Sequence, residues 1–282
     1  MSTGALIFAQ NNASIDYTKL AVFCADRVLE FLKIPVSLVT DNKQWLLDNF
    51  PNHKFDQIIE ISFDEFYQKR YMCDGTMSSS VIEWKNFSRC DAYELSPYET
   101  TILLDSDYVI NSSILSLSLD KDCDIQMYKK CFDLASWRST NEFSRINQYS
   151  IPFYWATVVV FKKSLISESF FNLVSYIKQN WAYFKVLYSI DSQLFRNDFA
   201  FSIASHIMNG KTTGQFITEL PGSMTYIKDT DLVYKMDNTA ITFLIEKQNY
   251  CGEYQAVKTT GIDMHIMNKH SLSRFIDGGI GV

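Results

Sequence analysis

Thr101-Ile102-Leu103-Leu104-Asp105-Ser106-Asp107-Tyr108-Val109-Ile110 is the stretch on which the fold turns. An apolar run enters two carboxylates one residue apart and leaves through Tyr-Val-Ile. A short run of this kind predicts a strand buried on both faces. Paired acids in a core are costly unless their charge is compensated. The strand is therefore expected to surface at a sheet edge, with Asp105 and Asp107 facing a cation. Mg²⁺ and Mn²⁺ take oxygen ligands and keep places for water and substrate phosphates. The same residues also suit a solvated turn at a strand end, and the rest of the chain has to choose between the two.

Upstream, residues 4–9 (Gly-Ala-Leu-Ile-Phe-Ala) predict a first strand, followed by a polar Gln10-Asn11-Asn12 turn. Ser14 is the expected N-cap of a helix over 15–33, with Leu20, Phe23, Cys24, Val28, Phe31 and Leu32 at helical spacing. Pro35 stops it, a second strand runs to Thr40-Asp41, and a helix (42–49) and a strand (57–61) follow. This alternation predicts βαβ units and a parallel sheet with right-handed crossovers. Residues 64–80 read as a polar loop. Residues 81–95 read as a helix carrying Trp84, Lys85, Phe87, Ser88 and Arg89, and Ser96-Pro97 turns the chain into the acidic strand.

Downstream the pattern is more mixed. Strands are expected at 124–128 and 153–161 around a loop-rich span, then helices at 164–186 and 191–209. Short strands follow at 215–220, 223–227, 232–236 and 241–245, and then a tail with His265 on a short strand. No repeat, low-complexity tract or linker divides the chain. One α/β domain over 1–282 is expected. Its half 1–110 has the size of a nucleotide-binding unit and ends in the acid pair, and 111–282 forms the more mixed half.

The 282 residues are 47% hydrophobic and 15% aromatic, which excludes a disordered chain. A net charge of −6 gives no global basic field for nucleic acid. Six cysteines with irregular gaps and no C-x-x-C fit neither a disulfide framework nor a zinc site and suggest a reducing compartment. No apolar stretch approaches the ~20 residues of a membrane span and no leader is evident, so a cytoplasmic location is expected.

From Trp84 to Ile110 the chain resembles metal-dependent nucleotide-sugar glycosyltransferases of the GT-A fold, loosely the family-8 type. The residues that carry the resemblance are Phe87-Ser88-Arg89, Ser96-Pro97, Thr101–Leu104 and Asp105-Ser106-Asp107. It implies a Rossmann-like sheet, a nucleotide-diphosphate sugar donor (UDP-sugar the first choice) and Mn²⁺ or Mg²⁺. It also implies that Asp105, Asp107 and His265 hold the ion, which neutralises the departing diphosphate. Asp105 and Ser106 would lie by the donor, and Arg89, Lys85 and Lys269 by its phosphates. The turn Ala9-Gln10-Asn11, with Tyr17 beyond it, occupies the place of the nucleotide base, although asparagine there is also ordinary turn chemistry. Asp198 stands where these folds place an acceptor-side acid, as a general base or a steadying charge, and it equally suits a helix cap. The chain lacks the family's acidic residue at the first turn and its Asn-x-Gly on 153–161, which leaves base identity and stereochemistry open.

The stretch Phe195–Ala204 and the tail His265-Ile-Met-Asn-Lys269 are similar to glycosyltransferase-like proteins of large T4-type phages. Sugar transfer onto 5-hydroxymethylcytosine in DNA is a known role among such phages. DNA thus joins a glycan, lipid or protein as a possible acceptor. Two other functions compete. Asp105-Ser-Asp107-Tyr-Val109 matches the D-x-D-x-[TV] nucleophile motif of haloacid-dehalogenase-type phosphatases, with Asp105 phosphorylated and Asp107 as acid/base. A non-catalytic glycan- or nucleotide-binding module could use the aromatics Phe153, Tyr154, Trp155, Trp181 and Tyr183 for stacking, residues that equally suit a core.

Overall fold

A computed structural model describes residues 2–62, 68–85, 88–147, 150–212 and 216–278. The expected alternation opens the chain: strand Thr3–Ala9, helix Tyr17–Phe31, strand Val36–Thr40, helix Lys43–Asn49 and strand Gln57–Glu60. The first helix starts later than expected. The Asn12 side chain accepts the Ser14 and Ile15 amides, each at 2.8 Å, and holds that segment as a turn. Asp16 rather than Ser14 is therefore the N-cap, accepting the Lys19 amide at 3.0 Å.

The fold is mixed α/β around a central, mostly parallel sheet. Seven strands lie in the order Thr218–Glu219, Ile125–Tyr128, Trp155–Lys162, Thr100–Asp105, Thr3–Ala9, Val36–Thr40 and Gln57–Glu60. Thr3–Ala9 is flanked in parallel by Val36–Thr40 and Thr100–Asp105, with Phe8 level with Asp105 and Ala9 level with Thr40. Leu6, Ile7, Leu38, Ile102, Leu103 and Leu104 are fully buried between helices on the two faces. Each such side chain is worth about 1.5–3 kcal/mol on burial, which fixes the strand and delivers Asp105 to the rim. Gly4 admits a close approach, since a Cβ there would lie 2.4 Å from the Tyr98 ring.

Only Trp155–Lys162 runs against its neighbours, so its beginning, not its end, lies at the rim where Asp105 emerges. Its register with Ile125–Tyr128 is irregular between Trp155 and Val159. Bulges of this kind release backbone groups from the ladder, and Ala156 uses its freed amide and carbonyl in the site.

A second, four-stranded sheet is ordered Tyr108–Val109, Met264–Ile266, Met224–Ile227 and Cys131–Asp133. In it His265 lies opposite Tyr108, and the Ile266 amide donates to the Asp107 carbonyl at 3.0 Å. The end of the chain is thereby paired directly onto the residues that follow the acidic strand.

Several expected elements differ. The loop at 64–80 and the start of the helix at 81–95 are instead an antiparallel hairpin, Gln68–Cys73 with Ser79–Trp84. Its alternation has period two: Met72 and Ile82 are buried while Tyr71 and Val81 are exposed. Trp84 and Lys85 are thus not helical. Arg89 sits on a 3₁₀ turn (Ser88–Asp91), with one helical turn (Ala92–Leu95) after it, and Phe87 lies outside the described residues. The helix expected at 164–186 breaks at Asn180 into Leu165–Gln179 and Trp181–Leu187, and the next begins only at Asn197. Residue 215 lies outside the described residues, and the strand expected from it spans Thr218–Glu219. The strand Tyr250–Thr260 and the helix Lys269–Ile276 were not expected.

Candidate metal and nucleotide site

At the rim, one cleft is lined by Gln10, Tyr17, Lys85, Arg89, Asp105, Ser106, Asp107, Asp198, His265 and Lys269 among the residues singled out from sequence. Two do not reach it. Ala9 is fully buried at its strand end, and the Asn11 side chain accepts the Thr18 amide at 2.9 Å, securing the helix start. Of the turn Ala9-Gln10-Asn11 and Tyr17 beyond it, Gln10 and Tyr17 line the cleft. Gln10 is hydrogen-bonded to Asp41 from the neighbouring strand, a carboxyl pushed up by burial. The Tyr17 hydroxyl is buried without a hydrogen-bond partner among the described residues.

The acids are each matched by a base. Arg89, 1% exposed, donates through Nη1 to Asp105 Oδ1 at 2.5 Å and through Nη2 to the freed Ala156 carbonyl. Asp105 is pushed up by burial, against the pull of Arg89 and with the push of Asp107. Lys269 Nζ lies 2.6 Å from Asp107 Oδ2, and His265 Nε2 lies 3.3 Å from the same oxygen. Burial would raise Asp107, but the Lys269 ammonium and then His265 hold it well below the usual carboxylate range. Burial likewise pulls against the Lys269 ammonium, and Asp107 outweighs it and raises that group.

Asp198 lies in the first turn of Asn197–Met208. Its Oδ1 accepts the Ala156 amide at 2.8 Å, and its Oδ2 accepts Arg196 Nη2 at 2.7 Å. Ala156 thus joins the two acids, its carbonyl held through Arg89 to Asp105 and its amide given to Asp198. Asp198 makes no side-chain cap bond, because Arg196 occupies the cap position.

Asp105, Asp107 and His265 offer ligand atoms that all lie within 4.8 Å of one another. Two carboxylates and an imidazole suit a hard or borderline divalent ion. His265 Nδ1 is buried with no partner among the described residues, which leaves donor capacity in the cluster. The residues fit such an ion.

The cleft also contains Trp155, named from sequence only as a stacking aromatic of a binding module, and Arg70, Trp84, Arg196 and Asn197, which were not singled out as site residues. The sequence offers little signal for Arg70 and Trp84, because apolar residues across 68–84 fall in runs at 71–73 and 81–82 and do not alternate. Arg196 and Asn197 stand beside Asp198 in sequence and enter with it. Among the described residues no helix is long and apolar enough to cross a membrane.

No protein-family model matches the chain, and no curated protein sequence matches it. Among solved structures it is similar to the glycosyltransferase GlyE of Streptococcus pneumoniae TIGR4, with 10% identity over 78% of this chain and a TM-score of 0.45. It spans 46% of that protein, less than half its length. It is similar to the galactosyltransferase LgtC, solved with donor and acceptor sugar analogs, with 14% identity, 70% of this chain and 68% of that one covered and a TM-score of 0.45. It is also similar to apo mouse xyloside xylosyltransferase 1, with 12% identity, 78% of this chain and 85% of that one covered and a TM-score of 0.46.

Proposed function

We propose that the chain is a single-domain GT-A glycosyltransferase that moves a sugar from a nucleotide diphosphate, UDP first among them, to an acceptor hydroxyl with a divalent ion. The observation that carries this is the meeting of Asp105, Asp107 and His265 within 4.8 Å at the rim of a parallel sheet, with Lys269 beside them. Ligands of open α/β sheets bind beyond the carboxyl ends of the strands, where this cluster lies. Asp105, Asp107 and His265 would hold Mn²⁺ or Mg²⁺, which supplies Lewis acidity to the leaving diphosphate. Lys269 and Lys85 supply further positive charge to the phosphates, and Ser106 and Tyr17 line the donor's place. Gln10 and Asp41 offer polar groups for a base edge. Asp198, oriented by Ala156 and Arg196, stands for the acceptor side. The hydroxyl acceptor is a glycan, lipid, protein or hydroxymethylated DNA, and the setting is the cytoplasm.

The phosphatase alternative asks Asp105 to attack phosphorus. Its Oδ1 is held by Arg89 at 2.5 Å, which favours a fixed, charge-matched role over a nucleophilic one. The test is a panel of nucleotide sugars with Mn²⁺, reading nucleotide release with and without acceptors that include hydroxymethylated DNA. Donor-specific release abolished by EDTA and by Asp107→Ala supports the proposal. Unchanged turnover in Asp107→Ala overturns it.

A further inference from the structure

Positive charge exceeds what the acids of the cleft require. Asp105 is matched by Arg89, Asp107 by Lys269 and Asp198 by Arg196. Arg70 lines the same cleft and forms no ion pair with a carboxylate among the described residues. It is carried by the hairpin Gln68–Cys73/Ser79–Trp84, which is fastened on several sides. Phe195 donates its amide to Gln68 Oε1 at 2.9 Å, Cys73 donates its amide to Asp229 Oδ2 at 2.9 Å, and Arg274 pairs with Asp74 at 2.7 Å. The hairpin therefore presents Arg70 from a fixed base.

The guanidinium lies over the Trp84 ring, 5.5 Å from its centroid. Stacking of this kind restrains the long side chain and leaves the edge of its planar fork for a ligand. Arg70 is close enough to Lys269 and Tyr17 to act on both electrostatically. A guanidinium and an ammonium in one cleft repel each other, and Asp107 is already committed to Lys269. An anion shared between the two cations relieves that repulsion. The fork matches phosphate oxygens bidentately, which the ammonium cannot do.

We propose that Arg70 binds the phosphates of the ligand from the hairpin and shares them with Lys269, so that the hairpin selects ligands bearing a diphosphate. This rests on the nucleotide-sugar reading above and adds a phosphate-specific residue to it.

Calorimetry with Mn²⁺ on wild type, Arg70→Gln and Arg70→Lys, using UDP, inorganic pyrophosphate and uridine as probes, tests it. A charge-assisted hydrogen-bonding pair predicts that Arg70→Gln weakens UDP and pyrophosphate by about ten- to a hundredfold and leaves uridine unchanged. Arg70→Lys recovers part of the loss, and thermal melts of both variants confirm that they fold. The proposal is overturned if Arg70→Gln leaves UDP and pyrophosphate within about twofold of wild type, or weakens uridine equally. Wild type that takes pyrophosphate through Arg70 but no nucleoside diphosphate supports the Arg70 assignment and sinks the donor reading. Wild type that binds none of the three overturns both.

Discussion

Lys269 Nζ and Asp107 Oδ2 lie 2.6 Å apart, each side chain about one-tenth exposed or less, at the point where a divalent ion would draw on the same carboxylate. One residue comes from the end of the central acidic strand and the other from the first turn of the last helix. An ammonium on Asp107 would compete with a metal there, and under the proposed function it would be freed for phosphate when the carboxylate held the ion.

Removing Lys269 should therefore split stability from metal affinity. Breaking a buried pair leaves an uncompensated charge and costs about 3–5 kcal/mol. Lys269→Met is expected to lose stability of that order in urea titrations without metal, and to regain part of it when Mn²⁺ is added. Its Mn²⁺ affinity without nucleotide should rise about tenfold, a gain of about 1.4 kcal/mol. A variant as stable as wild type in EDTA would show that the pair contributes nothing.

Arg89 holds three parts of the rim together: Asp105, the bulged Ala156 carbonyl and its own 3₁₀ turn. Arg89→Met leaves Asp105 facing Asp107 without its partner. We expect a loss of about 3–5 kcal/mol in chemical denaturation, larger than for an exposed ion pair such as Lys54–Asp26. A fall below about 1 kcal/mol would place Arg89 among the dispensable surface charges.

How far these features were legible in the sequence depends on how local each signal is. Asp105 and Asp107 stand out because a buried apolar run has few reasons to end in two acids. His265 and Lys269 were legible as residue types, but their place beside Asp107 depends on pairing Met264–Ile266 with Tyr108–Val109, a contact between distant segments that no local period announces. Asn11 was ambiguous because turn asparagines can serve either a ligand or the backbone, and here its side chain accepts the Thr18 amide. Arg70 escaped because its hairpin is half exposed, so its apolar alternation is thin. The helix Lys269–Ile276 escaped because its sequence is polar on most sides.

Gly4 tests the packing under the central strand. A Cβ at this position meets the Tyr98 ring at 2.4 Å, and that ring is held by a 2.7 Å hydrogen bond between its hydroxyl and Ser37 Oγ. Gly4→Ala should cost about 1–3 kcal/mol through overpacking, read as a lower urea midpoint with an unchanged slope. Stability equal to wild type would mean that the ring moves aside freely.

Asp263 links the tail to the residues just beyond the acidic strand, accepting the amides of Asn111 at 2.7 Å and Ser112 at 2.8 Å. Burial pushes its carboxyl up to about 6, against those amides and Arg27. A carboxyl raised in the folded state favours folding while it stays protonated. Its contribution is full below the unfolded value of about 4 and is lost as pH climbs through about 6. Over that window the cost of ionising it in place is about 3 kcal/mol, from about two units at about 1.36 kcal/mol each. Asp263→Asn keeps an oxygen to accept the two amides but cannot ionise. Wild type should therefore lose stability relative to Asp263→Asn between pH 4 and 6, and the two should run parallel above pH 7. Urea melts at several pH values read the difference directly. A constant gap across that range would mean that Asp263 ionises as readily in the folded chain as in the unfolded one.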